Sequence, residues 1–481
     1  MEFPEFLELH CPNASLPHSI APLPHCLIDR VFDMRIVPLL VTVSLFAQSP
    51  TWIEQYRPAA DRLIAESQSS DFAWQRLAEV TDTYGPRLSG SLGLERAIEW
   101  AVETMQKDGL DNVRKERVMV PRWVRGRESL TLIDPIAQPL PMLGLGNSVG
   151  TSMNGLIADV IVVGSFDELD AKAAQVKDRI VLFNVPYTNY GQTVQYRTTG
   201  PSRAARHGAL AVLVRSVGPI GLRTPHTGST NYAEDAPKIP AAAIPVEDAE
   251  RFQRLQNRGV RIRVRLQMDA RFEADAESFN VIGELTGREF PQELVVIGCH
   301  FDSWDVGSGA SDDAGGCIVT WEALRLMKKL NLRPRRTVRV VLWTNEENGM
   351  RGGNAYRDQH LAELKNHVLL MESDGGVFDP AGFGFTGPDA ARAQVTAIAS
   401  LLKSLGADSI AASGGGADIG PAGTAGNIPM MSHLVKGDYF LIHHTPADTI
   451  DRITPKQMSD NAAAIAVMTY VIAELPQRLG R

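Results

Sequence analysis

The stretch from residue 297 to residue 316, IGCHFDSWDVGSGASDDAGG, concentrates side chains that could bind a cation. It contains one histidine and four aspartates, separates them with glycines, and begins with the end of an apolar run. A solvated surface would mix such acids with lysines, and a hydrophobic core would exclude them. The composition of the stretch therefore predicts a metal site.

Further acids and imidazoles stand at the ends of apolar segments. They are His300 after ELVVIGC, Glu346 and Glu347 after TVRVVLWT, Asp374 after HVLLMES, and His443 and His444 after YFLI. Asp312 follows a glycine-rich loop at the start of a helix with an apolar stripe. Open α/β sheets gather their sites at the carboxyl ends of their strands, so we expect these groups to meet at one rim.

This set of side chains suits two divalent ions that share one carboxylate. Zinc takes imidazole and carboxylate ligands, and a carboxylate between two ions offsets their mutual repulsion. We predict that Asp312 bridges two zinc ions, with His300 and Asp374 on one ion and Glu347 and His444 on the other.

Two acids remain for other roles. Glu346, next to a ligating glutamate, could take a proton from a water shared by the two ions and deliver it to a leaving amine. Asp302, two residues beyond His300, could accept a hydrogen bond from the imidazole and orient it.

Each of these residues also has an ordinary interpretation. Taken alone, the glutamate pair would be solvated loop acids, Asp374 a turn residue, His444 a buried histidine and Asp312 a helix cap. Their joint occurrence at four segment ends favours the metal site.

The remaining sequence indicates the elements that would position these groups. Residues 51–127 follow a mostly helical pattern, and residues 128–275 carry short apolar runs, interrupted by turn residues, with one short helix. From 276 to 481 apolar strands alternate with helices. We predict an α/β fold with a mostly parallel central sheet, helices on both of its faces, and an inserted strand-rich domain. The arginine-rich run 251–267 predicts the solvated face of an edge strand.

Composition and the N-terminal region restrict the class of protein. A net charge of −8 over 481 residues argues against a nucleic-acid partner. Residues 34–47 have one arginine, an apolar run and a polar break, which is the plan of a secretory signal, and residues 1–33 would be an unstructured extension. We expect a secreted or periplasmic protein without a membrane partner once the signal is removed. Cys299 and Cys317 are expected as buried free thiols, although export would permit their oxidation.

Four stretches carry a family resemblance: HFDSWDVGSGASDDAGG, LWTNEENG, MESDGG and HHTPADT. They resemble the co-catalytic dizinc exopeptidases, which include leucyl aminopeptidases, aminopeptidase Y and glutamate carboxypeptidases. Other stretches, among them GPRLSGSLGLERAIEW, VQYRTTG and PHTG, resemble the plasma glutamate carboxypeptidase branch. The resemblance implies the same ligands and base, a protease-associated domain at 128–275, and a cis peptide bond after Asp312. It also implies cleavage of dipeptides with free termini, and a homodimer.

Several functions remain open within this expectation. A dipeptidase or carboxypeptidase-like action competes with a broad aminopeptidase, with a one-zinc glutaminyl cyclase, and with an inactive receptor or scaffold on the same fold. The full ligand set and the presence of Glu346 argue against the last two. His443 and Tyr439 are candidates for contacting the oxyanion or a substrate terminus, against a structural role.

Overall fold

The computed structural model describes residues 51–480, so the predicted extension and signal, 1–33 and 34–47, lie outside the described residues. The strands are β1 (Asp111–Val120), β2 (Trp123–Val124), β3 (Glu128–Asp134), β4 (Gln138–Leu140), β5 (Leu143–Gly144), β6 (Leu156–Val163), β7 (Ile180–Phe183), β8 (Ala211–Arg215), β9 (Ala241–Ile244), β10 (Arg263–Met268), β11 (Arg271–Phe272), β12 (Ala276–Leu285), β13 (Phe290–His300), β14 (Arg336–Trp343), β15 (His367–Glu372), β16 (Asp379–Thr386), β17 (Ser409–Ala411) and β18 (Met430–Lys436).

The helices connect these strands and cover their faces. They are α1 (Arg57–Gln68), α2 (Phe72–Tyr84), α3 (Leu92–Lys107), α4 (Phe166–Ala171), α5 (Ala173–Val176), α6 (Tyr190–Thr193), α7 (Gln195–Thr198), α8 (Gly200–Arg206), α9 (Val246–Asn257), α10 (Gly315–Lys329), α11 (Glu346–Gly349), α12 (Arg351–Gln359), α13 (Asp389–Ala399), α14 (Gly420–Gly426), α15 (Tyr439–Ile442) and α16 (Pro455–Glu474). Within residues 51–480 no helix is long and apolar enough to cross a membrane.

The larger sheet has the strand order β1-β12-β14-β13-β15-β18-β16-β17. Its centre, β14-β13-β15-β18, is parallel, whereas β1, β12 and β16 are joined to the sheet by antiparallel pairings. The predicted α/β fold is confirmed, and the sheet is mixed, with the parallel strands at its centre.

Helices cover both faces of this sheet, as predicted. Val295 and Ile297 of β13 point into a core that includes residues of α1, α10 and α16. Leu294 and Val296 point to the other face, against Tyr356 of α12 and Ala422 of α14. Because both faces of the central strands are buried, their sequences are continuous apolar runs.

A second sheet is formed by strands between Glu128 and Met268, in the order β4-β3-β10-β6-β7-β8-β9-β5. It has two hydrophobic clusters of its own, one on each face. We predicted one short helix in this segment, whereas the structure has α4 to α9. Most of these helices have only four to seven residues, too few for a helical period to show in the sequence.

The arginine-rich run 251–267 differs from its prediction. Its first part is the end of α9, and its last part belongs to β10, which lies between β3 and β6 and is not an edge strand. Arg265 is exposed while Val264 and Leu266 are buried. The alternation therefore marks the exposed face of an internal strand.

Cys299 and Cys317 form a disulfide, so the expected free thiols are wrong. Cys299 lies near the end of β13 and Cys317 in the first turn of α10, with 5.0 Å between their Cα atoms. This distance is within the range that a disulfide spans. The glycine-rich loop returns the chain to β13, a path that the sequence spacing does not reveal.

Candidate metal centre

The predicted ligands meet at one end of the parallel strands. They are His300 at the end of β13, Asp312 in the turn before α10, Glu347 in α11 directly after β14, Asp374 two residues after β15, and His444 just after α15. The strands β14, β13 and β15 are adjacent and parallel, so their carboxyl ends lie side by side. The fourth apolar segment, YFLI, is a short helix.

Asp312 lies between the two histidines. His300 Nε2 is 3.2 Å from Asp312 Oδ1, and His444 Nε2 is 3.2 Å from Asp312 Oδ2. The Asp312–Asp313 peptide bond is cis, as the resemblance implied. One carboxylate therefore presents an oxygen to each histidine, which is the arrangement that a bridging ligand needs.

The remaining predicted ligands lie beside the two histidines. Asp374 Oδ1 is 3.5 Å from His300 Nε2, and Glu347 Oε2 is 3.0 Å from His444 Nε2. His443 also approaches Asp312, with its Nε2 at 3.6 Å from Oδ2. Donor atoms of His300, Asp312 and Asp374 all lie within 4.8 Å of one another, close enough for one ion.

Buried atoms without partners show that these residues fit a metal. Asp312 Oδ2 and Glu347 Oε1 are buried and accept no hydrogen bond. Burial raises the pKa of Glu347 to about 7, and the charge of Asp312 adds to this shift. Crowded carboxylates of this kind are stabilised by a bound cation, and their combination with imidazole is the donor set of catalytic zinc sites.

Asp302 supports the site in a different way from the one predicted. The main-chain carbonyl oxygen of Asp302 is 2.9 Å from His300 Nδ1, whereas the carboxylate is 3.9 Å away. The carboxylate instead accepts hydrogen bonds from the backbone amides of Glu346, at 3.0 Å, and Glu347, at 3.3 Å. Asp302 therefore orients His300 through its backbone and holds the glutamate pair through its side chain.

Comparisons with known proteins agree with this geometry. Residues 280–469 match the model of peptidase family M28. The chain is 44% identical to human carboxypeptidase Q over 422 residues, covering 87% of this chain and 89% of that protein. The chain belongs to peptidase family M28. It is a zinc metallopeptidase, because the side chains that the structure brings together are those that zinc takes in catalytic sites.

Solved structures show the same fold. A peptidase M28 precursor from Shewanella amazonensis SB2B superposes with a TM-score of 0.85 at 33% identity, covering 89% of this chain and 98% of that one. BSAP, a zinc aminopeptidase from Bacillus subtilis, superposes with a TM-score of 0.63 at 20% identity, over 85% of this chain and 96% of that one. At that identity the likeness concerns the fold alone.

Two residues that the sequence analysis did not single out hold the bridging loop of this M28 peptidase. The Asp448 carboxylate accepts hydrogen bonds from the amides of Ser311, at 2.7 Å, and Asp312, at 3.1 Å. Arg87, fully buried, donates to four main-chain carbonyl groups, among them those of Phe301 and Gly309. Both residues occur in stretches that carried the family resemblance, which was the available signal.

The M28 site opens into a cavity of about 480 Å³ between the catalytic domain and the insert. Glu346, Asn348, Met350 and Tyr439 are among its lining residues on the catalytic side. The insert contributes a polar set that the sequence analysis missed: Tyr190, Arg197, Ser229 and Asn231. The cavity can thus hold a small molecule whose polar end faces the insert.

His443 and Tyr439, the two further candidates, both line this cavity. The His443 ring stacks on that of His444, with 3.5 Å between ring centroids. Burial, together with the charges of nearby acids, raises the pKa of Tyr439 well above its usual value, so its hydroxyl stays protonated. Tyr439 therefore remains a hydrogen-bond donor at the site, and its role stays a prediction.

Proposed function

We propose that this metallo-exopeptidase binds two zinc ions and hydrolyses dipeptides that carry a free carboxyl terminus. Arg197 carries the proposal. Its side chain lines the cavity, yet the residue is only 4% exposed. It donates to Thr227 O at 3.1 Å and to the Tyr190 hydroxyl at 2.7 Å, and its buried Nε has no partner.

This guanidinium lacks an anionic partner within the described chain. No ion pair formed by residues 51–480 includes it, and the ionisable side chains within hydrogen-bond distance are Tyr190, whose hydroxyl is 2.7 Å from Nη2, and His444, whose Nδ1 is 3.4 Å from Nη1. A buried charge is costly unless it is paired. A substrate carboxylate would supply the missing charge, and arginine suits a carboxylate because its geometry allows two parallel hydrogen bonds. The name of the relative, carboxypeptidase Q, agrees with this assignment.

Glu346 supplies the proton transfers in the proposed reaction. It lines the cavity beside the predicted ligand Glu347, and its backbone amide is fixed by Asp302. Burial, followed by the charges of neighbouring acids such as Asp374, raises its pKa well above the usual range, which suits a group that takes up a proton. When bound, the two ions would polarise the scissile carbonyl and acidify water. Glu346 would take the proton of the attacking water and transfer it to the leaving amine nitrogen.

The predicted export of the protein and its predicted assembly into a homodimer remain part of the proposal. Export rests on the sequence of residues 34–47, and the homodimer and the protease-associated character of the insert rest on the family resemblance. A broad aminopeptidase is the competing function. It would need no carboxylate on its substrate, and therefore no cation at the position of Arg197.

A matched substrate panel tests the proposal. The purified, zinc-loaded protein is assayed for amine release from a free dipeptide, its N-acetylated form, its C-terminal amide and an amino-acid anilide. We expect cleavage of the free dipeptide and little cleavage of the amide and anilide. Arg197→Gln should lower kcat/KM for the free dipeptide about 10- to 100-fold, the loss of a charged hydrogen bond, and Arg197→Lys should lose less.

Arg203→Gln provides the control, because Arg203 belongs to the same domain but lies over the Phe166 ring and does not line the cavity. Equal cleavage of the dipeptide, the amide and the anilide would show a general aminopeptidase instead. No cleavage of any substrate with two zinc ions bound would show an inactive scaffold.

A further inference from the structure

Met350, at the rim of the cavity, has a backbone conformation that methionine rarely adopts. Its φ is 53° and its ψ is 31°, the left-handed region. Of the nine residues other than glycine with positive φ within 51–480, five are asparagines, and Met350 is the one with an apolar side chain. Asparagine tolerates this region, whereas other side chains are strained there.

The glycines nearby do not relieve this strain. Gly349, Gly352 and Gly353 surround Met350, and each is required by close packing. A Cβ atom on Gly349 would collide with the Asn345 side chain, and one on Gly352 or Gly353 would collide with the backbone of another segment. The backbone angles of residue 350 favour glycine or asparagine, and the chain has methionine there. Strain kept at a site indicates that the side chain has a function there.

Met350 and Arg197 line the same cavity, Met350 from the catalytic side and Arg197 from the insert. The carbonyl group of Asn348 accepts a hydrogen bond from Asn147 of the insert, at 3.3 Å. The next insert residue toward the N-terminus, Gly146, donates to Gly228 O at 3.0 Å, and Arg197 donates to the adjacent carbonyl group of Thr227. The segment 348–350 and Arg197 thus flank one strip of the insert. A substrate residue whose carboxylate binds Arg197 would place its side chain within the cavity that Met350 also lines.

We infer that Met350 determines specificity for the carboxyl-terminal residue of the substrate and favours an apolar side chain there. A thioether adapts its shape to varied apolar groups. An acidic side chain at this position would find no second arginine or lysine, because Arg197 is the sole one among the lining residues and would already bind the substrate's terminal carboxylate. This inference rests on the proposed binding of the substrate carboxylate by Arg197.

The test compares dipeptides that share their first residue and end in leucine, glycine or glutamate. For the wild type, kcat/KM should follow the order leucine, glycine, glutamate. In Met350→Gly, kcat/KM for the leucine substrate divided by kcat/KM for the glycine substrate should fall about tenfold. A loss of this size is expected when a few contacts between methylene groups are removed. Met350→Asn, which tolerates the same backbone angles, should show the same fall.

Asn427→Gly is the matched control. Asn427 has φ 48° at the end of α14, is exposed, and lies outside the cavity, so this variant should keep the wild-type ratio. Thermal unfolding should show that Met350→Gly unfolds at or above the wild-type temperature, since glycine relieves the strain.

The two proposals fail in different ways. If the wild type cleaves amides as well as free dipeptides, the assignment of Arg197 is wrong, and this inference fails with it. If it cleaves only free dipeptides, but prefers glutamate or keeps its leucine-to-glycine ratio in both Met350 variants, the role of Met350 is wrong while the proposed function stands.

Discussion

Asp448→Asn should weaken zinc binding without unfolding the protein. The carboxylate of Asp448 accepts two backbone amides, at 2.7 and 3.1 Å, and thereby fixes the position of Asp312. Asparagine keeps one acceptor oxygen and turns its NH₂ group toward the second amide. One charge-assisted hydrogen bond is lost, and two buried donors, the backbone N–H and the asparagine NH₂ group, face each other without an acceptor, at a cost of about 2–4 kcal/mol.

This cost is smaller than the stability of an ordinary domain, about 5–15 kcal/mol, so the variant should fold. Because Asp312 is the predicted ligand of both ions, its displacement should lower zinc affinity about 10- to 100-fold, the usual effect of losing a partner that orients a ligand. Zinc affinity is measured by competition with a chromophoric chelator, and kcat is then measured at saturating zinc.

Asp460→Asn is the control for stability. Asp460 is buried in α16, accepts hydrogen bonds from Gln68, at 2.7 Å, and from Lys456, and does not line the cavity of the metal site. Both variants should unfold at a lower urea concentration than the wild type, and only Asp448→Asn should lose zinc affinity. The reasoning is refuted if Asp448→Asn loses stability as the control does and still binds zinc with wild-type affinity.

Three further predictions concern the site and the disulfide beside it. Glu346→Gln should retain two zinc ions by elemental analysis and lose about 10²- to 10⁴-fold in kcat, the contribution of a general base; near wild-type turnover would show that another group takes the proton. Removal of zinc by a chelator should lower the unfolding temperature, because the clustered acids lose their counter-charge. The loss should correspond to about 2.7 kcal/mol relative to the protein in zinc at 100 times its Kd. An unchanged melting curve would contradict a metal held by these buried acids. Cys317→Ser should lower the free energy of unfolding in urea by about 3 kcal/mol, the value for a bridge across a separation of 18 residues, and an equal loss in reduced wild type would confirm that the bond is responsible.

The sequence predicts which side chains meet at the site because parallel strands restrict where their ends can lie. His300, Glu347 and Asp374 each follow a strand, and those strands are neighbours in the sheet. Once the apolar runs are recognised as central strands, convergence follows from the architecture. The same reasoning applies to Asp312, because it immediately precedes a helix that packs on the sheet and so lies near the strand ends. These predictions depend on the pattern of the whole segment and little on the conformation of any one side chain.

Contacts that depend on the path of a loop were not predictable in this way. Asp302 contacts His300 through its carbonyl group because the chain turns immediately after β13, and a residue spacing of two does not distinguish that contact from one made by the side chain. The disulfide between Cys299 and Cys317 likewise depends on a loop that doubles back. The position of β10 within its sheet was likewise not predictable. Alternation of arginine and apolar residues shows which face of a strand is exposed, but not whether the strand has neighbours on both sides.

The strand-rich character of the insert could be predicted from the sequence, yet its part in the site could not, because the residues that connect it to the metal centre are remote in sequence. The amide of Thr227 donates to the carbonyl oxygen of His444 at 2.9 Å, and Arg197 lies 3.4 Å from the ring of the same histidine. His444 itself has a φ of 60°, a left-handed conformation that needs support from surrounding structure. The insert thus stabilises the backbone of a predicted zinc ligand and supplies the cation proposed to bind the substrate. Metal binding and substrate recognition therefore depend on the same interface between the two domains, so that loosening this interface should weaken both together.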